Sequence, residues 1–146
     1  MSTRAADHEF TRTYVVHGRD FVNAGRASTD IKDTLKNIGL APAVVRRIAI
    51  ASYEAEMNVV MYATRGTITL DVMPACVVIR VEDEGPGIED VARAMQEGYS
   101  TATAEMREKG FGAGMGLPNI KRNSSAFEIT SEVGRGTRLF IRVDAT

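Results

Sequence analysis

A chain of 146 residues with 44% hydrophobic and 25% charged side chains can bury a core as a single domain of ordinary size. Its net charge of −1 excludes a general attraction to nucleic acid or to an anionic membrane, and its single cysteine, Cys76, excludes an internal disulfide and a cysteine-clustered metal site. No apolar run approaches the ~20 residues of a membrane span, and the polar stretch Met1–Phe10 has no signal-peptide core, so a cytoplasmic protein is expected. The expected organisation is a flexible leader over 1–10 and one domain over 11–146.

In chain order, the β-rich run Thr11–His17 predicts a short edge strand. Phe21, Ala24, Ala27, Ile31 and Leu35 recur at spacings of three and four, predicting a helix from Asp20 to Ile38 with Gly39 as its C-cap. Pro42 suits the first turn of a second helix, expected over 42–64, with Val45, Ile48, Ala55 and Val59 on its core face. Glu54, Met57, Asn58 and Met61 fall on another face, and Glu56 is directed to the far side from Glu54.

Two strands follow, Thr67–Met73 and Cys76–Glu82, joined by a turn at Pro74-Ala75. A helix is expected over Ile88–Gly98, a lid-like loop over Tyr99–Gly110, and a core helix over Met115–Ser125. A closing hairpin, Phe127–Glu132 and Thr137–Val143, turns across Gly134-Arg135-Gly136. The sum is an α/β (α+β) two-layer sandwich, helices on one face of a mixed, mostly antiparallel sheet.

Two glycine-rich boxes carry the chemistry. The first, Asp83-Glu84-Gly85-Pro86-Gly87-Ile88, sets an acid before a tight turn at a strand end, an acceptor for an amino group. The second, Gly110-Phe111-Gly112-Ala113-Gly114-Met115-Gly116-Leu117, runs into a helix-like segment, so its backbone N–H groups suit phosphate oxygens. It is no Walker loop, because no Gly-Lys-Ser/Thr follows, and it misses the dinucleotide fingerprint. Upstream, Glu54 and Asn58 lie four apart on one helix face.

Glu54-Ala55-x-x-Asn58, Asp83-x-Gly85-x-Gly87, the second glycine box and Gly134-Arg135-Gly136-Thr137, in that order, resemble the gyrase, heat-shock chaperone, histidine-kinase and mismatch-repair ATPases. Within that superfamily the chain looks most like the bacterial anti-sigma and partner-switching serine kinases, and Glu97–Thr101 and Gly112–Pro118 look like their switch-kinase branch. The resemblance spans about 11–143 and implies a Bergerat-type ATP-binding fold. It implies ATP and Mg²⁺ as cofactors, with Asn58 on the metal and Glu54 as the base toward a protein hydroxyl. Asp83 would read the adenine amine, with Thr137 sharing a water.

By the same resemblance Gly85, Gly87 and Ile88 lie beneath base and ribose, and Gly110 to Leu117 wrap the phosphates. Ser100 and Thr101 would touch the nucleotide from the lid. Lys109, Lys121 and Arg122 are either phosphate neutralisers or solvated surface cations. The implied function is a Mg-ATP-dependent serine/threonine kinase acting on a small antagonist or scaffold of STAS type. The alternative is an anti-sigma factor, or a nucleotide-dependent binding module, that sequesters a regulatory partner. A sigma factor, a downstream phosphatase and a homodimer are compatible with either, and no nucleic acid or membrane partner is expected.

Overall fold

The computed structural model describes residues 10–96 and 116–145. Five strands form one sheet in the order β1-β2-β3-β5-β4: β1 (Phe10–His17), β2 (Arg65–Val72), β3 (Cys76–Glu84), β4 (Ala126–Glu132) and β5 (Gly136–Asp144). The sheet, expected to be mostly antiparallel, pairs antiparallel at every described neighbour. β1 is an edge strand, as its short β-branched run predicts. β5 returns between β3 and β4, so both of these strands run against it.

The two long helices, α1 (Arg26–Ile38) and α2 (Pro42–Tyr62), pack on one sheet face with the short α4 (Gly116–Arg122). A one-turn helix, α3 (Val91–Ala94), follows the first glycine box. Period-two alternation sends Val77, Ile79 and Val81 of β3, with Leu139, Ile141 and Val143 of β5, into the helix layer. There they meet Ile31 and Leu35 of α1, Ile48, Ala55 and Val59 of α2, and Ile120 of α4 in one buried cluster. Each fully buried Ile or Leu stabilises the sandwich by roughly 1.5–3 kcal/mol.

Two helices differ most from expectation, and α4 ends at Arg122 rather than at Ser125. The first begins at Arg26 rather than near Asp20, because Asp20–Gly25 forms turns in which Asp20 accepts from the Asn23 side chain at 2.8 Å. The helix expected over 88–98 is a single turn, capped by Asp90 accepting from the Arg93 N–H at 3.0 Å. Its apolar residues Val91, Ala94 and Met95 are only half-buried, too little core contact to extend it. Gly39 and Pro42 occupy the cap and first-turn positions that their chemistry favours.

Candidate functional site

The 21-residue α2 carries the site's first half. Glu54 and Asn58, one turn apart, face α4. The Asn119 side-chain amide donates to Glu54 Oε2 at 3.0 Å, and Arg122 Nη1 donates to Asn119 Oδ1 at 2.7 Å. Arg122 therefore fixes the amide that fixes the carboxylate. Asn58 lies under the first residue of α4: a Cβ added to Gly116 would sit 3.3 Å from Asn58 Oδ1.

Among the described residues no three His, Cys, Asp or Glu side chains gather as a metal cage. A single amide oxygen nevertheless fits Mg²⁺, a hard cation that keeps several waters and takes phosphate oxygens for the rest. Asn58 could supply such an oxygen.

The second half lies where the first glycine box meets the β4–β5 hairpin. Asp83 is inside β3, opposite Gly66 of β2, with its side chain on the helix side of the sheet. Its Oδ1 accepts the Thr137 N–H at 3.1 Å, which leaves Oδ2 for another donor. Burial pushes the Asp83 carboxyl above its ordinary value, opposed by that N–H, which pulls it down.

Gly136 has φ +152°, and a Cβ there would come within 2.0 Å of the Asp83 carbonyl oxygen. Only glycine lets β5 close on Asp83. Gly87, at φ +75°, would likewise drive a Cβ to 2.4 Å from the Glu132 carbonyl. Main-chain bonds from Gly85 N–H to Arg135 O and from Gly134 N–H to Pro86 O, each 2.9 Å, staple the Gly-Pro-Gly turn to the hairpin.

Ser131 completes the staple. Its Oγ accepts the Ile88 N–H at 2.8 Å, stands 3.2 Å from the Gly136 carbonyl and lies 2.9 Å from the Thr137 hydroxyl. The two halves share α2 as their ruler. A Cβ on Gly85 would lie 3.0 Å from Ala63 Cα, the C-cap of α2, while Asn58 and Glu54 lie about 7 and 14 Å back along the same axis.

Asp83, Ser131 and Thr137 also edge a cleft of about 690 Å³ at this end of the sheet, whose charged walls include Arg65, Glu82 and Arg138 of the opposite face. Glu54 and Asn58 do not line it. Gly85, Gly87, Ile88 and Thr137 thus gather around Asp83, while Glu54, Asn58 and Gly116 gather at α4. Leu117 is buried in the core. Ser100, Thr101, Lys109, Gly110, Phe111, Gly112, Ala113, Gly114 and Met115 lie outside the described residues, as does the expected lid. Lys121 is exposed, and Arg122 is engaged with Asn119.

Three residues make contacts that the sequence alone does not assign. Ser131 sits at an inward position of β4, after Phe127 and Ile129, and a polar side chain in that phase is the signal. Asn119 directly follows the Gly112–Pro118 stretch. Glu56 lies away from Glu54, as expected, but is only 2% exposed. Its carboxylate accepts the N–H groups of Gly25 (3.0 Å), Ala27 (3.3 Å) and Ser28 (2.9 Å), closing the N-terminus of α1.

Residues 43–146 match the family described as histidine kinase-, DNA gyrase B-, and HSP90-like ATPase. The chain is 31% identical over 112 residues to the serine/threonine-protein kinase RsbT of Bacillus subtilis (strain 168), covering 74% of this chain and 78% of that protein. It is 33% identical over 93 residues to the anti-sigma F factor of Caldanaerobacter subterraneus subsp. tengcongensis, covering 64% of this chain and 57% of that one. A second anti-sigma F factor, from Thermoanaerobacter sp. (strain X514), is 33% identical over 95 residues, with 62% and 63% covered. The match over 104 positions, with Glu54, Asn58, Asp83 and Thr137 all inside it, places this chain in the histidine kinase-, gyrase B- and HSP90-like ATPase family.

Proposed function

We propose that residues 11–146 form one ATP-binding unit that acts as a Mg-ATP-dependent serine/threonine kinase of a bacterial partner-switching system. The observation that carries this is the order along α2: Glu54, then Asn58, then the Ala63 end against Gly85, two residues beyond Asp83. A nucleotide laid along the helix puts its base at Asp83 and its terminal phosphate toward Glu54. Asp83 Oδ2 accepts from the adenine amine, which a guanine carbonyl could not replace.

Asn58 would hold the metal, which would supply charge to neutralise the phosphates. Glu54, oriented by Asn119, takes the proton of a serine or threonine hydroxyl. That hydroxyl's oxygen bonds to the γ-phosphorus as the bond to the ADP oxygen breaks, giving a phosphoprotein and ADP. The substrate is a STAS-type antagonist or scaffold, and the setting is cytoplasmic. The name of the Bacillus subtilis relative supports the kinase. The anti-sigma F relatives support a second reading, in which the chain sequesters a sigma factor and nucleotide serves as its conformational cofactor.

Calorimetric titration of ATP, ADP and GTP, with and without Mg²⁺, tests the nucleotide site. Adenine-selective, Mg²⁺-assisted binding that Asp83→Asn abolishes is expected; no binding at millimolar nucleotide would leave a protein-binding module. The base is tested separately. Glu54→Ala should retain ATP binding and lose phosphotransfer by about 10²–10⁴-fold, and unchanged transfer would remove Glu54 from that role. Retrieval of a sigma factor at stoichiometric yield would favour the second reading.

A further inference from the structure

Between α1 and α2, on the side of the helix layer away from the sheet, runs a groove of about 670 Å³. Its α2 wall follows one stripe at four-residue spacing, Pro42, Arg46, Ile50 and Glu54, while Leu40, Val45 and Ala49 supply apolar surface. The stripe spans twelve residues of helix, about 18 Å. Its facing rim is basic: Lys32 and Lys36, one turn apart on α1, stand across from Arg46. All three side chains are exposed, and none enters an ion pair among the described residues. Tyr53, 45% exposed, stands at the end where Glu54 closes the groove.

Glu54 therefore belongs to two places at once. It lines the groove and it is held by Asn119 of α4. An apolar trough with three exposed cations along it suits an amphipathic segment that carries carboxylates beside its apolar stripe. We propose that this groove docks an acidic, amphipathic segment of the phosphoacceptor protein and delivers the adjoining hydroxyl to Glu54; the inference rests on the phosphotransfer reading above. Three cations against the single carboxylate of Glu54 reject a basic segment, so the groove selects its substrate by charge before any chemistry takes place. Asn58 continues the same four-residue stripe one turn beyond Glu54, so a nucleotide along Asn58 and a segment in the groove meet end to end at Glu54.

The test uses the full chain and two synthetic helices of about 14 residues, a length of roughly 20 Å. Both carry leucines at helical spacing and a serine at one end; one is flanked by glutamates and the other by lysines. Amide chemical-shift titration should place the glutamate peptide on Lys32, Lys36, Arg46 and Ile50, with the lysine peptide at least about tenfold weaker. The double substitution Lys32→Glu/Lys36→Glu should weaken the glutamate peptide by a similar factor, with ATP affinity and thermal unfolding unchanged. Equal binding of the two peptides, or shifts elsewhere on the surface, would overturn the proposal. So would groove shifts that track protein concentration without peptide, which would give the groove to a second copy of the chain. Peptide bound in the groove but not phosphorylated, with ATP still bound through Asp83, would uphold docking and count against the phosphotransfer reading instead.

Discussion

Glu54 and Glu56 show how two residues of separation on a helix assign opposite work. Glu54 is half-exposed and held by one side-chain amide, so its removal leaves α2 and its packing intact. Glu56 is buried, and three backbone N–H groups at the start of α1 have it as their acceptor. Removing it orphans those donors where water cannot replace it. Hydrogen bonds to a charged group contribute about 1.5–3 kcal/mol each, and the cap acts as a unit rather than as three independent bonds. Glu56→Ala should therefore destabilise the fold by about 2–3 kcal/mol in denaturant titration while Glu54→Ala changes it by less than about 0.5 kcal/mol. A reversed ranking would mean that α1 is held by its Ile31 and Leu35 packing alone.

At the scale of elements, the β4–β5 hairpin and the Gly-Pro-Gly turn behave as one unit. Asp83 is oriented by the Thr137 N–H, Thr137 lies against Ser131, and Ser131 holds the Ile88 N–H. Ser131→Ala leaves the strand pairing untouched and strips the half-buried Ile88 N–H of its acceptor, at a cost of about 1–2 kcal/mol. Nucleotide affinity should fall with it by several-fold, because the Asp83–Thr137 pair loses its lateral support. Ser131→Thr, which keeps the hydroxyl, should restore much of both. Loss of stability with unchanged ATP affinity would show that the staple serves the fold only. Sequence patterning made the hairpin visible but not this coupling. Strand alternation reports which side chains point inward, whereas the Ser131 contacts depend on how the sheet brings residues 88, 131 and 137 together.

Across the whole molecule, what was legible followed from local chemistry. Gly39 and Pro42 marked helix ends, alternating Val and Ile marked β3 and β5, and the spacing of Glu54 and Asn58 put them on one face. What was not legible needed distant partners. The true start of α1 depends on Glu56, some thirty positions later in the chain. The Asn119–Glu54 bond joins residues 65 apart.

Asp83 ties the fold and the site to a single titration. Its folded pKa is raised by burial, so the native state holds a proton over a pH range in which the unfolded chain has lost it. The contribution of this group to stability therefore grows as pH falls through the folded pKa, and is complete below the unfolded value near 3.8. Binding has the opposite sign. With Oδ1 engaged by the Thr137 N–H, the proton settles on Oδ2, turning the acceptor for the adenine amine into a donor facing a donor. Adenosine, which carries no titrating phosphate, should lose affinity, by up to roughly tenfold, as pH falls through the folded Asp83 pKa, the worth of one charge-assisted hydrogen bond. Asp83→Asn should be weak and flat over the same range, and a flat wild-type profile would take the adenine away from Asp83.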